Sequence, residues 1–255
     1  MSSQRAGMVW FALSVMLTLS ACGTAPSRSP LATWSPSPNH NARQAQLIVL
    51  HHTQMDSFDE ALHTLKSAND HGRVSAHYLI GDDGRIVQLV DERERAWHAG
   101  VGRWAEFTDL NDASIGIELD NDGVEAFSEA QIAALLRLLD DLCVRLSIPR
   151  SAVIAHADLA PMRKADPSAQ FPWARLAEAG FGLWPRADSA PAPEDFDAVL
   201  ALALIGYDTR NLPAARGAFR RRFRSVEQPI NAVAETFDAE DERILFDLQQ
   251  QRLGR

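Results

Sequence analysis

Apolar and polar positions along this chain follow two periods, and the switches between them mark out its elements. Four unbroken apolar residues, Leu47 to Leu50, lead into His51, and the run predicts a short buried strand over 46–51. Asp56 and Ser57 suit a helix start, and residues 58–66 behind them have helical spacing. Two apolar runs, 77–80 and 86–90, flank Gly81-Asp82-Asp83-Gly84, which predicts a hairpin. Residues 114–119 predict another strand. Between 128 and 146, Ile132, Leu135, Leu136, Leu139, Leu142, Cys143 and Leu146 fall on one helical stripe, and Ser128 and Gln131 have capping-box spacing. Pro149 closes that helix region. Residues 152–155 then predict a strand, and 173–178 a helix stopped by Gly180. Strands interleaved with helices predict an α/β fold, a central mixed β-sheet flanked by helices.

The two ends of the chain read differently. Residues 1–21 have the layout of an export signal, with Arg5 ahead of an apolar stretch at 8–19 that is too short to span a bilayer. Leu19-Ser20-Ala21-Cys22 resembles the bacterial lipobox, which implies cleavage before Cys22 and a lipid on its thiol. Gly23 stands where an aspartate would signal inner-membrane retention, so the expected location is the periplasm, anchored to the outer membrane in a Gram-negative source. A lipidated Cys22 leaves Cys143 unpaired, a core filler on its apolar stripe. Residues 22–41, rich in Pro, Ser, Thr and Ala, read as a flexible tether. The α/β domain occupies 42–184 and a Pro/Ala-rich linker 185–193. Apolar periodicity over 196–204, 214–223 and 244–253 makes 194–255 a small three-helix C-terminal domain.

Composition narrows the function. The chain has 255 residues, 46% of them hydrophobic, which is ample for a core. A net charge of −9 argues against a nucleic-acid partner, since phosphate binding needs a basic surface.

Three segments carry candidate chemistry: IVLHHT at 48–53, SIGIELDN at 114–121 and HADLAPMRKADP at 156–167. Each sets metal-capable or acid/base residues where a buried strand gives way to a loop, the place where rigid positioning meets access. Hydrolytic zinc takes three protein ligands and keeps a fourth position open. Taken singly, each histidine reads more readily as structural.

These segments, with VSAHYLIGDDGRIVQLVDE, AWHAG and LNDASIGIELDN, resemble the zinc-dependent N-acetylmuramoyl-L-alanine amidases, which share a fold with bacteriophage amidases and peptidoglycan recognition proteins. The resemblance covers about half the chain, from Leu47 to Pro172, and is nearest to a lipoprotein branch with a C-terminal peptidoglycan-binding module. It implies His51, His156 and Asp166 as ligands of Zn2+, Glu118 as catalytic acid and base, and Lys164 facing the reacting carbonyl. It further implies a substrate groove at Trp97 and His98, with His98 reading equally as a satisfied structural histidine and Asn111 either fixing a loop or touching substrate. His52 is a departure, because many relatives have another residue there. Adjacent strand residues point to opposite faces, so His52 is expected to pack rather than to ligate. His77 reads as structural. Arg220, Arg221, Arg222 and Arg224 read as a solvated helix face or as a stem-peptide carboxylate site. The expected protein is a monomer acting on peptidoglycan or muropeptides. The rival is a non-catalytic peptidoglycan-binding lipoprotein, which would lack a ligand or the acid; neither is missing.

Overall fold

The computed structural model describes residues 29–42, 45–69, 72–227, 229 and 236–254. The expected export signal and Cys22 lie outside the described residues. Six strands make the main sheet: β1 (Thr33–Trp34), β3 (Leu47–His52), β6 (Tyr78–Ile80), β7 (Ile86–Gln88), β9 (Ser114–Leu119) and β10 (Val153–Ala155). Their order is β1-β7-β6-β9-β3-β10. The β6–β7 pair is the expected hairpin and is antiparallel, whereas β6, β9, β3 and β10 run parallel. Parallel central strands are covered on both faces, which is why Ile48, Val49, Leu50, Ile115 and Ile117 are all buried. Helix α1 (Phe58–Lys66) starts behind Ser57, whose side chain accepts from the Glu60 amide. It packs with Leu79 on one face, while Tyr78 and Ile80 join the core on the other.

Two short ladders lie apart from this sheet, β2 (His40–Ala42) with β8 (Glu94–Ala96), and β4 (Ala68–Asn69) with β5 (Gly72–Arg73). The N-terminal segment corrects one expectation. The flexible tether of 22–41 is folded from Ser29 onward: β1 pairs with β7, β2 pairs with β8, and Ser37 and Asn39 are buried. Pro30 stands ahead of β1, and Pro36 and Pro38 stand between β1 and β2, where no ladder amide is needed.

Helix α3 (Glu129–Leu146) buries Ile132, Leu135, Leu139, Leu142 and Cys143 as the stripe predicts, and adds Leu138. Burial pushes the Cys143 thiol up to about 11, consistent with an inert filler. Ser128 accepts from the Gln131 amide at 3.0 Å, but Gln131 does not reach back. Its side-chain amide instead donates to the Ile80 and Asp120 carbonyls, 3.0 Å each, fastening α3 to the ends of β6 and β9.

The remaining helices are α2 (Leu110–Ala113), α4 (His156–Leu159), α5 (Trp173–Glu178), α6 (Ala198–Ile205), α7 (Leu212–Arg224) and α8 (Ala239–Arg252). The last three match the expected C-terminal trio. Ala201, Leu202, Phe219 and Leu245 nevertheless belong to the same apolar cluster as Ile48 and Leu139. Trp104 is in van der Waals contact with Gly206 and meets Tyr207 edge-on at 4.9 Å.

Arg220, Arg221 and Arg222 are buried, Arg224 is half-buried, and all four are engaged by carboxylates of this chain. Arg220 pairs with buried Asp241, Arg221 with Glu227, Arg222 with Asp158, and Arg224 with Asp238 and Asp241. Helix α7 lies between the sheet domain and α8, so its charges need internal partners.

Candidate active site

Register assembles the site. Strand β3 pairs with β9 so that His51 stands opposite Glu118, and with β10 so that Ala155 stands opposite Leu50. The residue after Ala155 is His156, which therefore arrives beside His51. All three lie at the C-terminal ends of parallel strands, where open α/β sheets bind ligands.

His51, His156 and Asp166 are buried and converge. His51 Nδ1 lies 2.9 Å from His156 Nδ1 and 3.1 Å from Asp166 Oδ2, and His156 Nδ1 lies 3.0 Å from that same oxygen. Three ligands held tetrahedrally at zinc bond lengths stand about 3.3 Å apart, so these separations fit within a few tenths of an ångström. The donor chemistry agrees. His156 Nε2 donates to the Ala99 carbonyl at 2.9 Å, which leaves the Nδ1 lone pair facing its neighbours. Two ring nitrogens this close share either a proton or a metal cation. A proton on His51 is disfavoured, because burial and then the charge of His156 lower its pKa to about 4. Burial would raise the Asp166 carboxyl, but the two imidazoles outweigh it and hold it well below the usual range.

His51 is held from behind. Its Nε2 lies 2.9 Å from His98 Nδ1, and His98 Nε2 lies 3.4 Å from the Ser114 hydroxyl. With His51 Nδ1 at the metal position, Nε2–H donates to His98. Gly116 leaves the room this needs, since a Cβ there would stand 2.4 Å from the His98 ring. Asn111 Oδ1 accepts from the His98 and Ala99 amides at 3.0 and 2.8 Å. It therefore fixes the AWHAG loop, and it is not among the residues lining the cleft. Of the two readings for Asn111, these contacts are those of the loop anchor.

The cleft, about 180 Å³, is lined by Trp97, His98, Glu118, Lys164 and the three converging residues, with Met55, Leu65 and Val74 on its apolar wall. Glu118 Oε2 is buried with no hydrogen-bond partner among the described residues. Burial, then the charge of Asp166, raises this carboxyl to about 8, against the opposing pull of Lys164. His52 is outside the converging set, and its Nδ1 accepts from the Ser168 amide at 3.3 Å. His77 is structural: Nδ1 accepts from the Gly116 amide at 2.9 Å and Nε2 donates to the Glu94 carbonyl at 3.0 Å.

The Glu118 shift has a measurable consequence in chelator-treated protein. A carboxyl raised to about 8 binds a proton in the folded state that the unfolded state has released. Its contribution is therefore complete below the ordinary value of 4.5 and is lost as pH rises through about 8. Between pH ~6.5 and ~8 the parent should lose about 1 kcal/mol relative to Glu118→Gln, allowing for partial exposure. Urea denaturation of both chains at the two pH values checks this; parallel stabilities would contradict the shift.

Sequence reasoning missed Asp158 and Tyr207, which meet beneath His156 at 2.5 Å. Asp158 sits at the third position of a short helix, a detectable capping signal; Tyr207 had none.

Comparison with known proteins agrees with this geometry. Residues 41–169 match the family described as N-acetylmuramoyl-L-alanine amidase. The chain is 40% identical over 233 residues to the N-acetylmuramoyl-L-alanine amidase AmiD of Escherichia coli, covering 76% of this chain and 83% of that protein. It is 35% identical over 160 residues to the 1,6-anhydro-N-acetylmuramyl-L-alanine amidase AmpD of Citrobacter freundii, covering 55% and 86%. Among solved structures, Escherichia coli AmiD in complex with anhydro-N-acetylmuramic acid-L-Ala-D-gamma-Glu-L-Lys superposes with a TM-score of 0.68 at 35% identity, covering 88% of this chain and 93% of that one. AmpDh3 from Pseudomonas aeruginosa gives 0.69 at 30% identity, covering 85% and 95%. With the same fold, a matching half of the sequence and a hydrolytic donor set at the strand ends, this chain belongs to the N-acetylmuramoyl-L-alanine amidase family.

Proposed function

We propose that this chain is a zinc-dependent hydrolase of the amide between the lactyl group of N-acetylmuramic acid and L-alanine of the stem peptide, in peptidoglycan or muropeptides. The observation that carries it is the convergence of His51, His156 and Asp166 in a cleft shared with Glu118 and Lys164. Zinc, when bound there, supplies Lewis acidity to a water molecule and to the scissile carbonyl near neutral pH. Glu118 takes the proton of the attacking water on its carboxylate and delivers it to the departing L-alanine amine. Lys164 offers its ammonium to the developing oxyanion. Trp97 forms apolar wall for the substrate, and the His98 ring borders the same groove while bracing His51.

On this reading the chain acts as a monomer. We further infer that residues 1–21 direct export and that Cys22 carries a lipid, placing the enzyme in the periplasm at the outer membrane. Helices α6 to α8 would then sit near the wall, whether or not they bind it. No helix among the described residues is long and apolar enough to cross a membrane.

Mass spectrometry of sacculi digested by the chain without residues 1–22 tests the reading. The expected products are stem peptides with a new L-alanine amino terminus and intact glycan. Cuts inside the stem would instead indicate a peptidase, and no release would indicate a binding protein.

A further inference from the structure

The helix that bears His156 takes its support from the far end of the chain. Asp158 is fully buried two residues after His156. Its Oδ2 accepts from the Ala155 amide at 2.9 Å, capping α4, and from Arg222. Its Oδ1 accepts from the Tyr207 hydroxyl. Arg222 also donates to the Val153 carbonyl on β10 at 3.1 Å and lies over the Trp173 ring at 4.2 Å. Tyr207 and Arg222 both follow the stretch 185–193, yet both are buried against the strand-to-helix corner of the site. The same corner receives the loop of the third converging residue, because the Ala157 amide donates to the Asp166 carbonyl at 2.8 Å.

One buried carboxylate thus sets where His156 and Asp166 stand relative to His51. Taking away the guanidinium leaves the Asp158 charge uncompensated in the interior, taking away the hydroxyl leaves Oδ1 without its donor, and the corner relieves either by moving. Displacements of a fraction of an ångström matter to a metal site.

We propose that Tyr207 and Arg222 are positioning residues for the metal centre, holding the His156 corner through Asp158. The C-terminal helices are then a working part of the hydrolytic unit. This rests on the metal reading above. Neither residue lines the cleft, and neither is assigned to substrate.

The test uses the whole chain after residue 22, with zinc affinity measured by competition against a chromogenic chelator well below the melting temperature. Tyr207→Phe, which removes a single oxygen, and Arg222→Met should each weaken zinc binding about 10- to 100-fold, the usual range for groups that orient ligands. The kcat should fall at limiting zinc and recover in excess zinc, with KM unchanged, and Arg222→Lys should restore part of the affinity. A purely structural role predicts a lower melting temperature with unchanged zinc affinity in the folded protein, and that result overturns the proposal. If Arg222→Met does not fold, Tyr207→Phe decides alone. A parent chain that binds no zinc would sink the metal reading itself; a parent that binds it no more tightly than both variants would sink only the coupling.

Discussion

Replacing Glu118 with glutamine is expected to slow amide hydrolysis about 1,000-fold while the protein folds and keeps its zinc, within the range typical of lost general acid–base catalysis. The side chain stands at the end of β9 opposite His51, inside the cleft but outside the set of converging donors. Glutamine has nearly the same shape, and Oε2 has no hydrogen-bond partner among the described residues to lose. Little structural penalty therefore accompanies the change, and the loss should fall on kcat rather than on KM. An amide carries no proton to give at neutral pH, so neither half of the proton transfer remains. Single-turnover rates on a defined muropeptide, together with zinc content, check this. Turnover above about a tenth of the parent's, with zinc in place, would remove Glu118 from the proton path.

Chelation is expected to abolish activity and to lower the melting temperature by on the order of 10 °C, both reversed by added zinc. A ligand at about 1,000 times its dissociation constant stabilises the native state by about 4 kcal/mol. In a chain of this size each kcal/mol moves the midpoint by roughly 2–4 °C. The structural ground is the trio itself. Two imidazole nitrogens 2.9 Å apart and one buried carboxylate oxygen near both make a donor set for a single cation. Asp166→Ala should reproduce both losses, since it breaks the donor set, and excess zinc should not rescue it. Calorimetry with and without chelator, on parent and variant, measures the effect. Full activity after exhaustive chelation would exclude a metal role.

Local pattern carried most of the elements. The apolar run before His51, the hairpin around 81–84 and the stripe of α3 each depend on near neighbours, and they stand within a residue or two of where periodicity puts them. Motif context named the converging trio, and strand alternation separated His51 from His52. Composition failed where pairing overrode it, at 29–42, because Pro and Ser content does not register a partner strand. It failed again at the arginine run, whose acidic partners lie many residues away. Asn111 was legible as a residue able to fix a loop, while its two amide donors were not.

By itself, then, the sequence determined which segments become strands and helices, and which side chains are able to hold a metal and move a proton. Those properties reside in residue type and short spacing. Which nitrogen of His156 faces inward, what braces His51, and the meeting of Tyr207 and Arg222 at one corner came from the folded chain. Such facts depend on backbone carbonyls and on groups brought together from distant parts of the chain, and no local pattern encodes them.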